Sequence, residues 1–347
     1  MVADSDIIGS YFDGNKTDDM GGAIYYSTGS HTVKNSEFTK NIGAEGGAFV
    51  VNSGNVLVEG TTFDGNSASA GGGAINIQGG GTVELACTNT FTNNEAAQDG
   101  GAIKGWNNND ILIVSGTATF TDNQANGVAN DIHNDGTVNI NKGADVTLNG
   151  GMTGSGIVNV NGTLQLGGAI SGKEVTFGAD SKLVLLGDGD QFADVYAVNG
   201  AGSNSTLNFD DVTAENKVDV EIEGIKNNTY NVAKGFDNIT ESKDKFDVTN
   251  LNALMKGEWT ANKDNGLQLK VSVKEAEQMA TEMGVSNSTA QSLANVTAAA
   301  QSANVNADAN GSGDAKAVAL VNAIANAPSE VAGQVFEAVS KMAEAGG

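Results

Sequence analysis

The chain has 347 residues, with 47 glycines, one proline and one cysteine, and its 42 acidic against 18 basic residues give a net charge of −24. Every basic residue is lysine, so no basic stripe exists to neutralise phosphates, which weighs against nucleic-acid partners and against docking on anionic lipid. The lone Cys87 cannot form an intrachain disulfide, and no stretch reaches the ~18 apolar residues of a membrane-spanning helix.

Residues 1–135 are organised by two recurring motifs. Gly-Gly-Ala stands at Gly21-Gly22-Ala23, Gly46-Gly47-Ala48, Gly72-Gly73-Ala74 and Gly100-Gly101-Ala102. An apolar residue follows each time: Ile24, Phe49, Ile75 and Ile103. Phe-x-x-Asn stands at Phe12/Asn15, Phe38/Asn41, Phe63/Asn66, Phe91/Asn94 and Phe120/Asn123, in steps of 26, 25, 28 and 29 residues. Self-similarity at this period is the mark of a solenoid. Runs such as Val-Leu-Val at 56–58 and Ile-Leu-Ile-Val at 111–114 are β-branched, of strand length, and bounded by Gly, Asn, Asp and Ser. Two or three short strands per repeat, stacked coil on coil in parallel, predict an all-β fold: a right-handed parallel β-helix.

Each motif position has a physical reason. The glycines supply positive φ at a corner and close approach between backbones. The alanine leaves little to fit inside a tight bend, and Ile24, Phe49, Ile75 and Ile103 form an inward column. The phenylalanines form a second inward column. The asparagines adopt the left-handed turn conformation and hydrogen-bond an amide of the next coil. Cys87, in Glu-Leu-Ala-Cys, reads as a small buried core residue. At Ala129-Asn130-Asp131-Ile132 the Gly-Gly-Ala-Ile slot returns in altered form, in register with Gly100.

Residues 136–217 read as plainer, thinner β-helix coils, among them Gly-Thr-Val-Asn-Ile-Asn at 136–141 and Lys-Leu-Val-Leu-Leu at 182–186. Residues 218–273 carry longer strands with Tyr230, Phe236, Phe246 and Trp259, suited to a C-terminal cap that covers the exposed end of a β-helix. Residues 274–347 switch to a helical period. Expected there are helices over 274–283 and from 286 to about 301, with Ser286 or Ser288 as N-cap. A flexible link over 302–313, a helix over about 314–326 broken by Pro328, and a last amphipathic helix from Ser329 complete this short α-helical tail.

Gly-Gly-Ala-Ile and Phe-x-x-Asn, recurring in register, resemble the polymorphic outer-membrane protein repeat of autotransporter (type V secretion) passenger domains. Ala-Asn-Asp-Ile followed by Gly-Thr-Val-Asn-Ile looks like the passage from motif-rich coils into plainer β-helix. Thr-Tyr-Asn-Val (229–232) and Gly-Leu-Gln-Leu-Lys-Val (266–271) are similar to the autochaperone-like cap near passenger C-termini. The resemblance covers residues 1–273 and implies a passenger at the bacterial cell surface, on the outer membrane or extracellular, carried by an outer-membrane β-barrel translocator in the full-length protein. With no signal peptide at Met1-Val2-Ala3-Asp4 and no barrel within the sequence, the chain reads as an exported portion of a longer protein.

Few residues of the chain are grouped as catalytic or metal chemistry requires. Parallel β-helices also carry polysaccharide lyases, which use a basic group beside the uronate, and arginine is absent. The pairs Asp18-Asp19 and Asp210-Asp211 offer carboxylates, but neighbours on an extended strand point to opposite faces, and both pairs read as solvated. His31 and His133 are isolated in sequence and read as turn or surface residues. Asp188-Gly-Asp190 with Asp194 lacks the full ligand series of a calcium loop and reads as a turn. The Thr117-Ala118-Thr119 pair would suit ice binding only if stacked on successive coils, and it reads as unstacked. The expected function is therefore non-enzymatic and without cofactor: an adhesin or interaction scaffold whose partner is a host or bacterial surface protein or glycan. A structural spacer for another domain is the alternative, and a β-helix polysaccharide enzyme the least favoured.

Overall fold

A computed structural model describes residues 4–187, 195–200, 202–302 and 324. The chain forms two compact units, one comprising residues 1–223, 231–249 and 260–268, the other 224–230, 250–259 and 269–347.

The first unit is a parallel β-helix. Its strands are short because Gly, Asn or Asp interrupts each apolar run, and their alternating burial leaves one face for the interior. A motif coil visits four sheets in turn. Ser30–Lys34 lies in the first sheet, Glu37–Thr39 in the second, Ile42–Gly43 in the third and Phe49–Asn52 in the fourth. The chain then re-enters the first sheet at Asn55–Glu59, parallel to Ser30–Lys34. Four strands, rather than two or three, fit in one repeat because the strand after Phe-x-x-Asn is only two residues long, below what sequence periodicity can reveal.

Register carries the core from coil to coil. In the fourth sheet Ile24 pairs with Phe49, Phe49 with Ile75, Ile75 with Ile103 and Ile103 with Ile132. In the second sheet Phe12, Phe38, Phe63, Phe91 and Phe120 are in line, continued by Leu148, Leu166, Leu185 and Ile222. These side chains are buried beyond the first coil.

The coils thin at one place. The third sheet ends in an antiparallel pair, Gln124–Ala125 with Val128–Ala129. Beyond it a coil visits only the first, second and fourth sheets, as in Thr137–Ile140, Asp145–Leu148 and Met152–Thr153. The inward residue of the fourth sheet then recurs at Ile132, Met152 and Ile170, a shorter step than between motif coils.

In the second unit, helices α1 (Ala276–Met283) and α2 (Asn287–Ser302) are separated by Gly284, whose φ of 66° ends α1 in the left-handed conformation. Ser286 Oγ accepts the Thr289 amide at 3.2 Å and caps α2, as one of the two candidate N-caps. Met279, Met283, Ala290 and Leu293 bury their side chains with Leu254 and Ile324. The first helix begins at Ala276, two residues later than the sequence pattern places it. The link over 302–313, the Pro328 break and the last helix fall outside the described residues, apart from Ser302 at the end of α2; of the expected 314–326 helix only Ile324 is described. Among the described residues no helix is long and apolar enough to cross a membrane.

Candidate interaction surface

The two motif glycines do different work. The first of each pair, Gly21, Gly46, Gly72 and Gly100, has φ between 61° and 72°. The second, Gly22, Gly47, Gly73 and Gly101, lies where an added Cβ would strike a backbone carbonyl of the next coil: Gly47, Gly73, Gly101 and Asn130 respectively. Ala48, Ala74 and Ala102 are fully buried behind them. Ile24, in the first coil, is half-buried, whereas Ile75 and Ile103 are buried in the column.

Phe12, Phe38, Phe63, Phe91 and Phe120 stack with centroid separations of 4.7, 5.2, 4.6 and 4.6 Å and near-parallel planes. The asparagine three residues on does not take the left-handed conformation. That falls to the residue before it: Gly14, Lys40, Gly65, Asn93 and Asp122 have φ between 53° and 66°. The asparagine is freed to build a ladder. Asn41 Oδ1 accepts the Asn15 amide and Asn15 Nδ2; Asn66, Asn94 and Asn123 repeat this toward the preceding asparagine at 3.0 Å. The remaining Nδ2 hydrogens of Asn41, Asn66, Asn94 and Asn123 bond the carbonyls of Phe12, Phe38, Phe63 and Phe91. Every polar atom of the buried amide is thereby satisfied.

The ladder stops on a carboxylate. Asp131, of the altered Ala-Asn-Asp-Ile slot, accepts Asn123 Nδ2 at 2.9 Å and the Gly150 amide at 2.7 Å. Burial pushes its carboxyl up to about 6, against the opposing pull of those hydrogen bonds.

These columns are internal, so whatever the protein contacts must meet the outward side chains. On the fourth sheet the outward column reads Tyr25, Val50, Asn76, Lys104, His133 and Thr153. Val50, Asn76 and Lys104 are buried although they point away from the core. They lie in a furrow that flanking side chains fill, between Met20, Glu45 and Asp99, which precede the glycine corners, and Gln78, Trp106 and Asp135, two residues further along the strands, with Gln78 Nε2 reaching Met20 Sδ at 3.3 Å. Asn76 Nδ2 bonds Glu45 Oε2 and Gln78 Oε1, both at 2.9 Å, and Trp106 Nε1 donates to Asn76 Oδ1 at 2.5 Å. Lys104 Nζ pairs with Asp99 at 3.1 Å and lies 3.5 Å from the centre of the Trp106 ring. Buried Asp110 accepts the amides of Trp106 and Asn107 and fixes the loop that carries the indole. Burial raises the Glu45 carboxyl, with Lys104 and Asn76 opposing. His133 bonds Thr153 Oγ1 and Asp135 Oδ2, each at 3.0 Å. Burial pulls Asp135 up, but hydrogen bonds from Ser155 and His133 hold it below the usual carboxylate range. Tyr25 and Trp106 keep 45% and 38% of their surfaces exposed.

Several single residues stand elsewhere than the sequence pattern places them. Cys87 is exposed, with φ 56°, because the chain turns a corner there between two strands and carries the thiol outward. His31 is buried in a strand, bonding Ser5 and the Thr28 carbonyl, and His133 is a strand residue of the furrow. The Thr117-Ala118-Thr119 pair is stacked: Thr88, Thr90 and Thr92 lie in register with Thr117, Thr119 and Thr121, and Thr62 and Thr147 extend the middle column. Asp64 and Asp145 interrupt the flanking columns. Thr-x-Thr spacing within one strand is legible in sequence, but its alignment across coils of unequal length is not.

Asp18-Asp19 and Asp210-Asp211 are exposed. The Asp188–Asp194 turn lies outside the described residues. Among the described residues no group of three or more His, Cys, Asp or Glu side chains could hold a metal ion.

Three segments, residues 9–27, 60–78 and 90–105, match the Chlamydia polymorphic membrane protein (Chlamydia_PMP) repeat. Each spans one Phe-x-x-Asn and the Gly-Gly-Ala-Ile that follows it. The coil with Phe38 and Gly46-Gly47 has the same geometry but carries Phe49 in place of isoleucine, and no match covers it. No curated protein matches the chain, and no solved structure does.

Proposed function

Starting from the polymorphic membrane protein repeats that this chain carries, we propose that it is a surface-exposed passenger of an autotransporter-type protein, acting as an adhesin or interaction scaffold rather than as an enzyme. The observation that carries this reading is the division of labour within a coil. The motif residues are spent on the Phe stack, the Asn ladder and the glycine corners, so the outward positions are free to vary and to bind. An outer-membrane β-barrel translocator in the full-length protein fits the same reading, as does a bacterial cell-surface, outer-membrane or extracellular location. The favoured partner is a host or bacterial surface protein or glycan. The net charge of −24 disfavours nucleic acid.

The purified chain, labelled and added to epithelial and bacterial cells, tests the proposal. Saturable binding competed by unlabelled chain is expected. A spacer would bind nothing, and an enzyme would release reducing or unsaturated ends from polysaccharides offered in parallel.

A further inference from the structure

We infer that the outward threonine face of the second sheet binds ice. This activity is additional to the passenger reading and independent of it.

Thr62, Thr90, Thr119 and Thr147 form a column on four successive coils, with Thr88 and Thr117 on one side of it and Thr92 and Thr121 on the other. Their strand neighbours Asn89, Phe91, Ala118 and Phe120 are buried, so the threonines stand outward. The face is open. Elsewhere outward side chains bond one another across coils, as Asn159 does with Asn139, Gln165 with Asp145 and Lys182 with Glu221. Here Thr90 bonds Thr62 at 3.3 Å and Thr121 accepts from Asn149, also at 3.3 Å. The hydroxyls of Thr88, Thr92, Thr117, Thr119 and Thr147 have no partner among the described residues. Each can donate one hydrogen bond and accept two. Branching at Cβ restricts χ1, so the hydroxyls keep their places before anything binds.

The spacing of the array is that of a water lattice. Stacked coils repeat every ~4.8 Å, and alternate residues of a parallel strand every ~6.6 Å. In hexagonal ice each oxygen has four tetrahedral neighbours at about 2.75 Å, which repeats the oxygens every ~4.5 Å across a layer and every ~7.3 Å along the hexagonal axis. The two grids agree to about a tenth in both directions. The array is three coil steps deep and two strand steps wide, so the mismatch accumulates to roughly 1–1.5 Å, about half a hydrogen bond. The array ends on charge: Glu37 adjoins Thr62 in the middle column, Asp64 adjoins Thr92, and Asp145 adjoins Thr117. A second copy of the chain laid on the same face would bring its own carboxylates against these, on a molecule of net charge −24. A neutral lattice meets no such repulsion.

The test uses the full chain and ice itself. Recrystallisation of fine-grained ice should be arrested by the chain at micromolar concentration. A fluorescently labelled chain offered to a single ice crystal should coat the faces that contain the hexagonal axis, where both repeats lie. Thr119→Lys puts a hydrated charge in the middle of the array and should raise the concentration needed at least tenfold. Thr82→Lys, outward on the first sheet, should leave it unchanged. Circular dichroism establishes that both variants fold, and Thr88→Lys, at an exposed position of the same array, replaces Thr119→Lys should that variant unfold. A folded chain that leaves ice growth unaltered would overturn the inference. So would coating of the basal plane alone, or equal effects of Thr119→Lys and Thr82→Lys. A dimer in sedimentation that Thr119→Lys dissociates would also overturn it, since the face would then cover a second copy. Binding to cells is read separately, and neither result decides the other.

Discussion

Asn66 shows how much one side chain does here. Its Oδ1 accepts two hydrogens from Asn41, and its Nδ2 gives one to Asn94 and one to the Phe38 carbonyl. Replacing it with alanine orphans two buried donors, the Asn41 amide and one Asn41 Nδ2 hydrogen, at ~1–3 kcal/mol for each uncompensated group, and takes one hydrogen from the Phe38 carbonyl and one from Asn94 Oδ1, which keeps the Asn66 amide. Asn66→Ala is expected to lower the unfolding free energy in urea by at least about 2 kcal/mol. Asn66→Asp, nearly isosteric, should also destabilise at neutral pH, because a carboxylate would face Asn94 Oδ1 and the Phe38 carbonyl with no hydrogen to give. A stable Asn66→Asp protein would contradict the ladder. The same reasoning explains why a carboxylate is tolerated at Asp131, where amide hydrogens meet it. Its folded value near 6 lies above the unfolded value, so the folded state holds the proton more tightly. That contribution is present below about pH 4 and is lost as pH rises through about 6. The difference in unfolding free energy between the native chain and Asp131→Asn should fall by about 3 kcal/mol across that interval. A difference independent of pH would remove Asp131 from the account.

At the scale of the strand and corner, the glycine pair separates two effects that sequence alone merges. Gly73 has an ordinary φ and no room for a Cβ, whereas Gly127 has φ 71° and open space around it. Gly127→Ala should cost about 1 kcal/mol, the penalty of the left-handed conformation. Gly73→Ala must displace the backbone of two coils and should cost several times that. Equal melting temperatures for the two variants would refute the close approach between coils. The inward columns were legible because Ile75, Ile103 and the phenylalanines recur in phase with glycine, and burial demands that phase. The two-residue third sheet, the duty of Lys40 and Asn93 as turn residues, and the stacking of Thr90 on Thr119 were not, since each depends on alignment between coils of different length. The furrow was illegible for a related reason. Glu45, Asn76, Lys104 and Trp106 follow no motif, and only stacking brings them together.

For the whole molecule, the repeats make a regular interior and leave specificity to the outside. A solenoid of this kind tolerates outward substitution because each coil is held by its neighbours through backbone ladders and inward columns. Folding residues and binding residues are thereby separate sets, and the proposed passenger function rests on the second. The most direct test is quantitative binding of the purified chain to epithelial and bacterial cells, with polysaccharide turnover read in the same wells. The account predicts saturable, competable binding and no turnover. Turnover of a polysaccharide, or no binding to any cell by a chain that is folded, would contradict it.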